Sequence, residues 1–264
     1  MKLFFPLLIT LLFTSCSGND GAGEVKTMTV TDSANRLMDK AGKMVRQAMQ
    51  LKAEEKDSLP GPDTTSKASQ LFINAREYYF DAVKLDPANY KAWSFIGTTY
   101  YFTRQPELAL PYFRRSVQLK NNYKEAWFNL GMACEQTEKI DSAMLAFSQC
   151  IRIDSAFTGA YARLSHLLFQ KEQQPDHAIA LLQLASRHQP ASDIPWNSMS
   201  TIYFQLKDTA NAIAALETAA KLRPDNKTRL YNLALYFHEH NDSAKYSLYL
   251  RQMEELEKRR QTAQ

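Results

Sequence analysis

Residues 90–123, YKAWSFIGTTYYFTRQPELALPYFRRSVQLKNNY, and residues 124–157, KEAWFNLGMACEQTEKIDSAMLAFSQCIRIDSAF, are two copies of one pattern. Trp93 and Trp127, Gly97 and Gly131, Ala109 and Ala143, and Phe113 and Phe147 recur thirty-four residues apart. A fixed period of this size marks a helix-turn-helix unit stacked on copies of itself, because a lone helix pair cannot bury its own apolar face.

The pattern extends in both directions. A fourth unit offers Tyr161, Leu164, Ser165, Leu168, Ala178, Leu182 and Pro190, with one extra residue in its loop near Pro175. A fifth offers Trp196, Met199, Ser200, Tyr203, Ala212, Leu216, Ala219 and Pro224. Residue by residue these units resemble the tetratricopeptide repeat. Small residues at Gly97, Gly131, Ser165, Ser200 and Ala234 let the first helix of each pair approach the second, where Ala109, Ala143, Ala178 and Ala212 sit. Pro87, Pro190 and Pro224 fall between units, where a residue that cannot continue a helix stops one. The expected fold is all-α, a right-handed α-solenoid of about six helix pairs and about twelve helices.

Both ends depart from the pattern, as terminal repeats usually do. At the front, Ala75, Tyr79 and Pro87 are in register, but Leu59, Pro60, Gly61 and Pro62 would break the expected partner helix. The series Ala34, Leu37, Met38, Ala41, Met44, Val45, Ala48 predicts instead a long amphipathic helix from about Asp32 to Asp57. Residues 32–89 therefore read as a degenerate first unit and 90–226 as four well-matched units. Residues 227–264 hold a sixth unit with a shortened loop, whose last helix, from about Asp242 to Arg260, caps the stack.

Ahead of the repeats stands MKLFFPLLITLLFTSC, with an apolar run from Leu3 to Phe13 that is too short to span a bilayer as a stable helix. This is a secretory signal over residues 1–15. It resembles the bacterial lipoprotein signal, which implies lipidation at Cys16, with palmitate among its acyl chains. Ser17 after the cysteine resembles sorting to the outer membrane, and the weakly acidic Gly18, Asn19, Asp20 favour its periplasmic face. Residues 16–31 read as a flexible tether, small, polar and glycine-containing.

A net charge of +4 with no long basic run excludes a nucleic-acid footprint. Among the eight glycines in 264 residues, neither a glycine-rich phosphate-binding loop nor a Gly-x-Ser-x-Gly elbow appears. His238 and His240, two apart on a helix, point to different faces, so no metal site is expected. Cys134 and Cys150 occupy core places of the third unit and are expected to be free thiols, and the burial of Cys134 makes it unsuited to nucleophilic work. The expectation is a protein without enzyme activity and without a cofactor.

The resemblance implies a concave groove lined by the first helices. Gln136, Gln170 and Gln205 hold equivalent places in successive units, and each amide offers a donor and an acceptor to an extended backbone. Phe128, Asn129, Met132, Glu135, Arg163, His166, Phe169, Asn197, Phe204 and Tyr231 share that face. Asn129 and Arg163 match two places of the carboxylate clamp of chaperone-binding relatives, but Ser94, Thr98 and Gly159 fill the rest, which rules the clamp out. The expected partner is another envelope protein or an extended peptide segment. The alternative is a glycan- or nutrient-binding lipoprotein that uses the groove aromatics, although the regular placing of Trp93, Trp127 and Trp196 assigns those rings to packing.

Overall fold

The computed structural model describes residues 29–54 and 65–262. The signal segment, Cys16, most of the tether and the stretch Leu59 to Pro62 lie outside the described residues.

Among the described residues there are twelve helices and no strand. They are α1 Val30–Glu54, α2 Lys67–Leu85, α3 Tyr90–Phe102, α4 Pro106–Leu119, α5 Lys124–Gln136, α6 Ile140–Ile153, α7 Thr158–Gln170, α8 Pro175–His188, α9 Ile194–Gln205, α10 Thr209–Leu222, α11 Lys227–Glu239 and α12 Ser243–Thr262. Each packs on the helix before and after it, and α3 on α5 and α7 on α9 also touch directly. This nearest-neighbour contact pattern is that of a solenoid of six helix pairs.

The alanines of the second helices, Ala109, Ala143, Ala178 and Ala212, are fully buried. The first-helix glycines, however, face rings rather than those alanines. A Cβ added to Gly97 would lie 2.7 Å from Cε1 of Phe113, and one added to Gly131 would lie 2.6 Å from Cε1 of Phe147. Where the ring gives way to Leu182, Leu216 or Leu250, the small residue becomes Ser165, Ser200 or Ala234. Cys134 and Cys150 are free and buried, and burial pushes the Cys150 thiol up to about 12.

The turn inside each unit from the second to the sixth is built on one left-handed residue. Arg104, Glu138, Gln173, Lys207 and Asn241 have φ between 53° and 62° and recur at thirty-four residues, or thirty-five across the extra loop residue. In all but the fourth unit they end the first helix in a Schellman arrangement, seen where Gln105 N donates to Tyr100 O and Lys139 N to Cys134 O, at 2.9 and 2.8 Å; in the fourth, Gln174 N reaches one residue further back, to Leu168 O, at 2.9 Å. None of the five is glycine, although a side chain at positive φ costs roughly 1–2 kcal/mol. Glu138→Gly and Lys207→Gly are each expected to raise stability by up to about 1 kcal/mol, since relief of this strain exceeds the added freedom of the unfolded chain. Leu145→Gly, on an exposed helical position, should lower it by about the same amount. Urea midpoints measure this, and a fall at both turn positions would refute the strain.

The open ends of the third, fifth and sixth hairpins are tied by a second recurring pair. Lys124 bonds Asp154, Asp193 meets Arg223 at 3.4 Å, and Lys227 bonds Glu257. In each, the first residue of the unit faces the one thirty positions later. In the second unit Lys120 Nζ instead lies 5.8 Å from the ring centre of Tyr90. The polarity reverses at Asp193 and Arg223, where charge complementarity is kept and residue identity is not. The Lys124 hydrogen bond holds Asp154 below the usual carboxylate range. Such half-exposed pairs contribute about 1 kcal/mol or less.

Candidate functional site: the groove along the first helices

Helices α5, α7, α9 and α11 line one face of the stack, and the predicted residues fall on it in two groups. On α5 the side chains are engaged with the protein itself. The Phe128 ring stands 5.6 Å from Phe147 and 5.1 Å from Phe157, centre to centre, and is half-buried. Asn129 Nδ2 donates to Thr98 Oγ1 of the preceding unit at 3.4 Å. Met132 packs against the core. Glu135 Oε1 lies 3.7 Å from both Arg163 Nη1 and His166 Nδ1, and its other oxygen is buried without a hydrogen bond. Burial pushes the neighbouring Tyr101 phenol up, with Arg163 and Glu135 acting on it in opposite senses.

The second group opens to solvent. Between α7 and α9 lies a hollow of about 350 Å³ lined by Arg163, His166, Phe169, Gln170, Asn197, Thr201 and Gln205. Between α9 and α11 lies another of about 450 Å³, lined by Asn197, Thr201, Phe204, Asn232, Leu235 and Glu239 among others. Asn197 and Thr201 belong to both, so the two stretches are continuous. Phe204, Tyr231 and Leu235 are exposed at 44%, 54% and 44%, which concentrates free apolar surface at this end. The glutamine column is partly tied up, since Gln170 Nε2 donates to Gln205 Oε1, while Gln136 is exposed on α5.

Thr201, Asn232, Leu235 and Glu239 were missed in the sequence, although the repeat register contains them. Asn232 stands in the column of Asn129 and Arg163, and Glu239 stands thirty-four residues after Gln205. In the sixth unit, whose pattern has decayed, the sequence singles out Tyr231 alone on the groove face.

A further hollow, about 630 Å³, separates α1 from α3. Met38, Val45, Tyr79 and Phe95 are among its lining, with Asp39, Arg46 and Lys91. It exists because the long α1 stands in for the first helix of a regular unit.

The tryptophans are packing groups. Trp93 and Trp127 give their indole N–H to Pro87 O and Asn121 O, at 2.9 and 2.7 Å, tying each first helix to the loop ahead of it. Trp196 packs with Tyr203 against Met199 and Ile202. His238 and His240 go to different neighbours, Tyr246 and Tyr236. Among the described residues no group of three or more His, Cys, Asp or Glu side chains could hold a metal ion.

The hairpin stack and its period resemble those of tetratricopeptide-repeat solenoids. The tetratricopeptide repeat family model matches residues 90–123, 124–157 and 195–226. A curated relative, tetratricopeptide repeat protein 8 of Caenorhabditis elegans, is 23% identical over 217 residues, covering 81% of this chain. The chain spans only 36% of that relative's length. Among solved structures, pilF of Pseudomonas aeruginosa superposes with a TM-score of 0.59 at 13% identity, over 84% of this chain and 93% of that one. YrrB, described as a TPR protein with an unusual peptide-binding site, superposes with a TM-score of 0.50 at 15% identity, over 76% and 98%. These likenesses establish the fold.

Proposed function

We propose that the chain is a non-catalytic scaffold that holds another envelope protein by an extended segment laid in the groove of α7, α9 and α11. The continuous hollow carries this reading. It combines amides from Gln170, Asn197, Gln205 and Asn232 with the exposed apolar side chains Phe204 and Leu235. Amides satisfy an extended backbone, and apolar side chains supply the favourable burial. The peptide binding stated for YrrB agrees with it.

The scaffold is held at the periplasmic face of the bacterial outer membrane by a lipid on Cys16. The apolar run from Leu3 to Phe13 ending near Cys16 supports this reading, and no described helix is long and apolar enough to cross a membrane. Cys16→Ala should leave the membrane fraction and lose incorporation of a labelled fatty acid. A Cys16→Ala form that stays tightly bound would overturn the anchor. For the groove, the expected result is that bait carrying Gln136→Ala, Gln170→Ala and Gln205→Ala recovers less partner from solubilised envelope than wild type does. Equal recovery would remove the glutamines from the site.

A further inference from the structure

The groove is not electrically uniform along its length. Among the described residues lining its two stretches, the basic guanidinium of Arg163 stands at the α7 end and the acidic side chain of Glu239 at the α11 end. Between them stand amides, hydroxyls and the exposed Phe204 and Leu235. Glu135 pairs with Arg163 but is the more buried of the two, which leaves the guanidinium as the exposed member of the pair. The carboxylate lies 3.7 Å away, beyond hydrogen-bond length, and its side chain is 18% exposed against 45% for Arg163. An incoming segment therefore meets the guanidinium first, with the His166 ring beside it and the carboxylate beneath. Glu239 is exposed and has no ion-pair partner among the described residues.

Packed helices stand roughly 8–10 Å apart, so α7 to α11 spans roughly 20 Å. An extended chain rises about 3.3 Å per residue and turns alternate side chains to one face, so about seven residues bridge that span with four facing inward. Resting on the groove reading above, we infer that the occupant is an extended protein segment of about seven residues, acidic at one end, apolar in the middle and basic at the other. Its acid lies on Arg163, its apolar side chains on Phe204 and Leu235, and its base on Glu239.

The test uses the full chain in detergent and labelled, end-capped peptides read by fluorescence anisotropy. The probe is Glu-Ser-Leu-Ser-Leu-Ser-Lys. Its comparisons carry Glu at both ends, Lys at both ends, or Ser in place of both Leu. The mixed-charge peptide should bind about tenfold more tightly than either like-charged one, as complementary placement of charge across an interface selects partners. Glu239→Lys should make the Glu/Glu peptide the best ligand, and Arg163→Glu the Lys/Lys peptide. Both positions are at the surface, so circular dichroism should be unchanged. A preference that does not follow these swaps, or no binding by any peptide up to millimolar concentration, overturns the inference. If charge makes no difference but the Leu-to-Ser peptide and a Phe204→Ser variant both lose binding, the groove reading stands and its polarity is wrong. If binding ignores every groove variant, both are wrong. Self-association of the chain, measured by sedimentation and abolished by Glu239→Lys without peptide discrimination, would assign the groove to a second copy and overturn the proposal.

Discussion

Gly131→Ala should lower the stability of the array by about 1–3 kcal/mol, the range for forcing an extra methyl into a filled core. Alanine is the better helix former by about 1 kcal/mol, so the sign of the effect isolates packing from propensity. The new Cβ would fall 2.6, 2.8 and 2.9 Å from Cε1, Cδ1 and Cζ of Phe147. Phe147 is fully buried and its ring stands 5.6 Å from Phe128, centre to centre, so it has little freedom to retreat. Phe147→Leu in the same chain should recover much of the loss, because leucine accompanies the Ser or Ala of the later units. The two changes are then coupled, and the double variant is more stable than the sum of the singles predicts. Ser200→Ala, at the equivalent place opposite Leu216, should change stability by under about 1 kcal/mol. Urea denaturation of the four variants decides the matter. A neutral or stabilising Gly131→Ala, or a double variant no better than additive, would show that the ring does not dictate the glycine.

That pairing illustrates what could be read from the chain alone. The thirty-four-residue period and the buried alanine column identify hairpins, their number and their stacking, since they record a backbone approach repeated in every unit. Coupling between columns is harder to see. Gly97, Gly131, Ser165, Ser200 and Ala234 all read as small, and their division follows the ring or leucine sixteen or seventeen residues on. The left-handed turn residues are invisible because Arg104, Glu138, Gln173, Lys207 and Asn241 share a conformation and no chemistry. At the groove, the glutamine column is legible, yet the hydrogen bond from Gln170 to Gln205 is a rotamer choice that no spacing encodes. The wall made by Asn232, Leu235 and Glu239 is in register but belongs to a unit whose other features have decayed.

Asp193→Ala should destabilise the C-terminal units by about 3–5 kcal/mol, the range for removing one partner of a buried ion pair. Asp193 stands at the N-cap of α9 but does not cap it. Its Oδ2 instead accepts from Arg229 Nη2 at 2.6 Å, with the two side chains only 10% and 5% exposed. Arg229 Nη1 also donates to Ala219 O at 2.7 Å and Arg223 O at 3.3 Å, so one guanidinium joins the start of α9, the end of α10 and α11. Without Asp193 a buried cation keeps only carbonyl partners. Arg229→Ala should cost less. The same place in three earlier units is Ala92, Ala126 and Ala160, all fully buried, so alanine suits the backbone there. Asp193 would keep Arg223, 3.4 Å away. The double variant should then resemble Arg229→Ala alone, because the stranded cation is gone. Amide exchange should localise the loss to α11 and α12, as each unit of a solenoid depends on its neighbours. Because α11 supplies Asn232, Leu235 and Glu239, Asp193→Ala should also abolish peptide binding while Arg229→Ala retains part of it. An Arg229→Ala variant as unstable as Asp193→Ala would mean that the pair contributes net stability, and not merely that its cation is costly to strand.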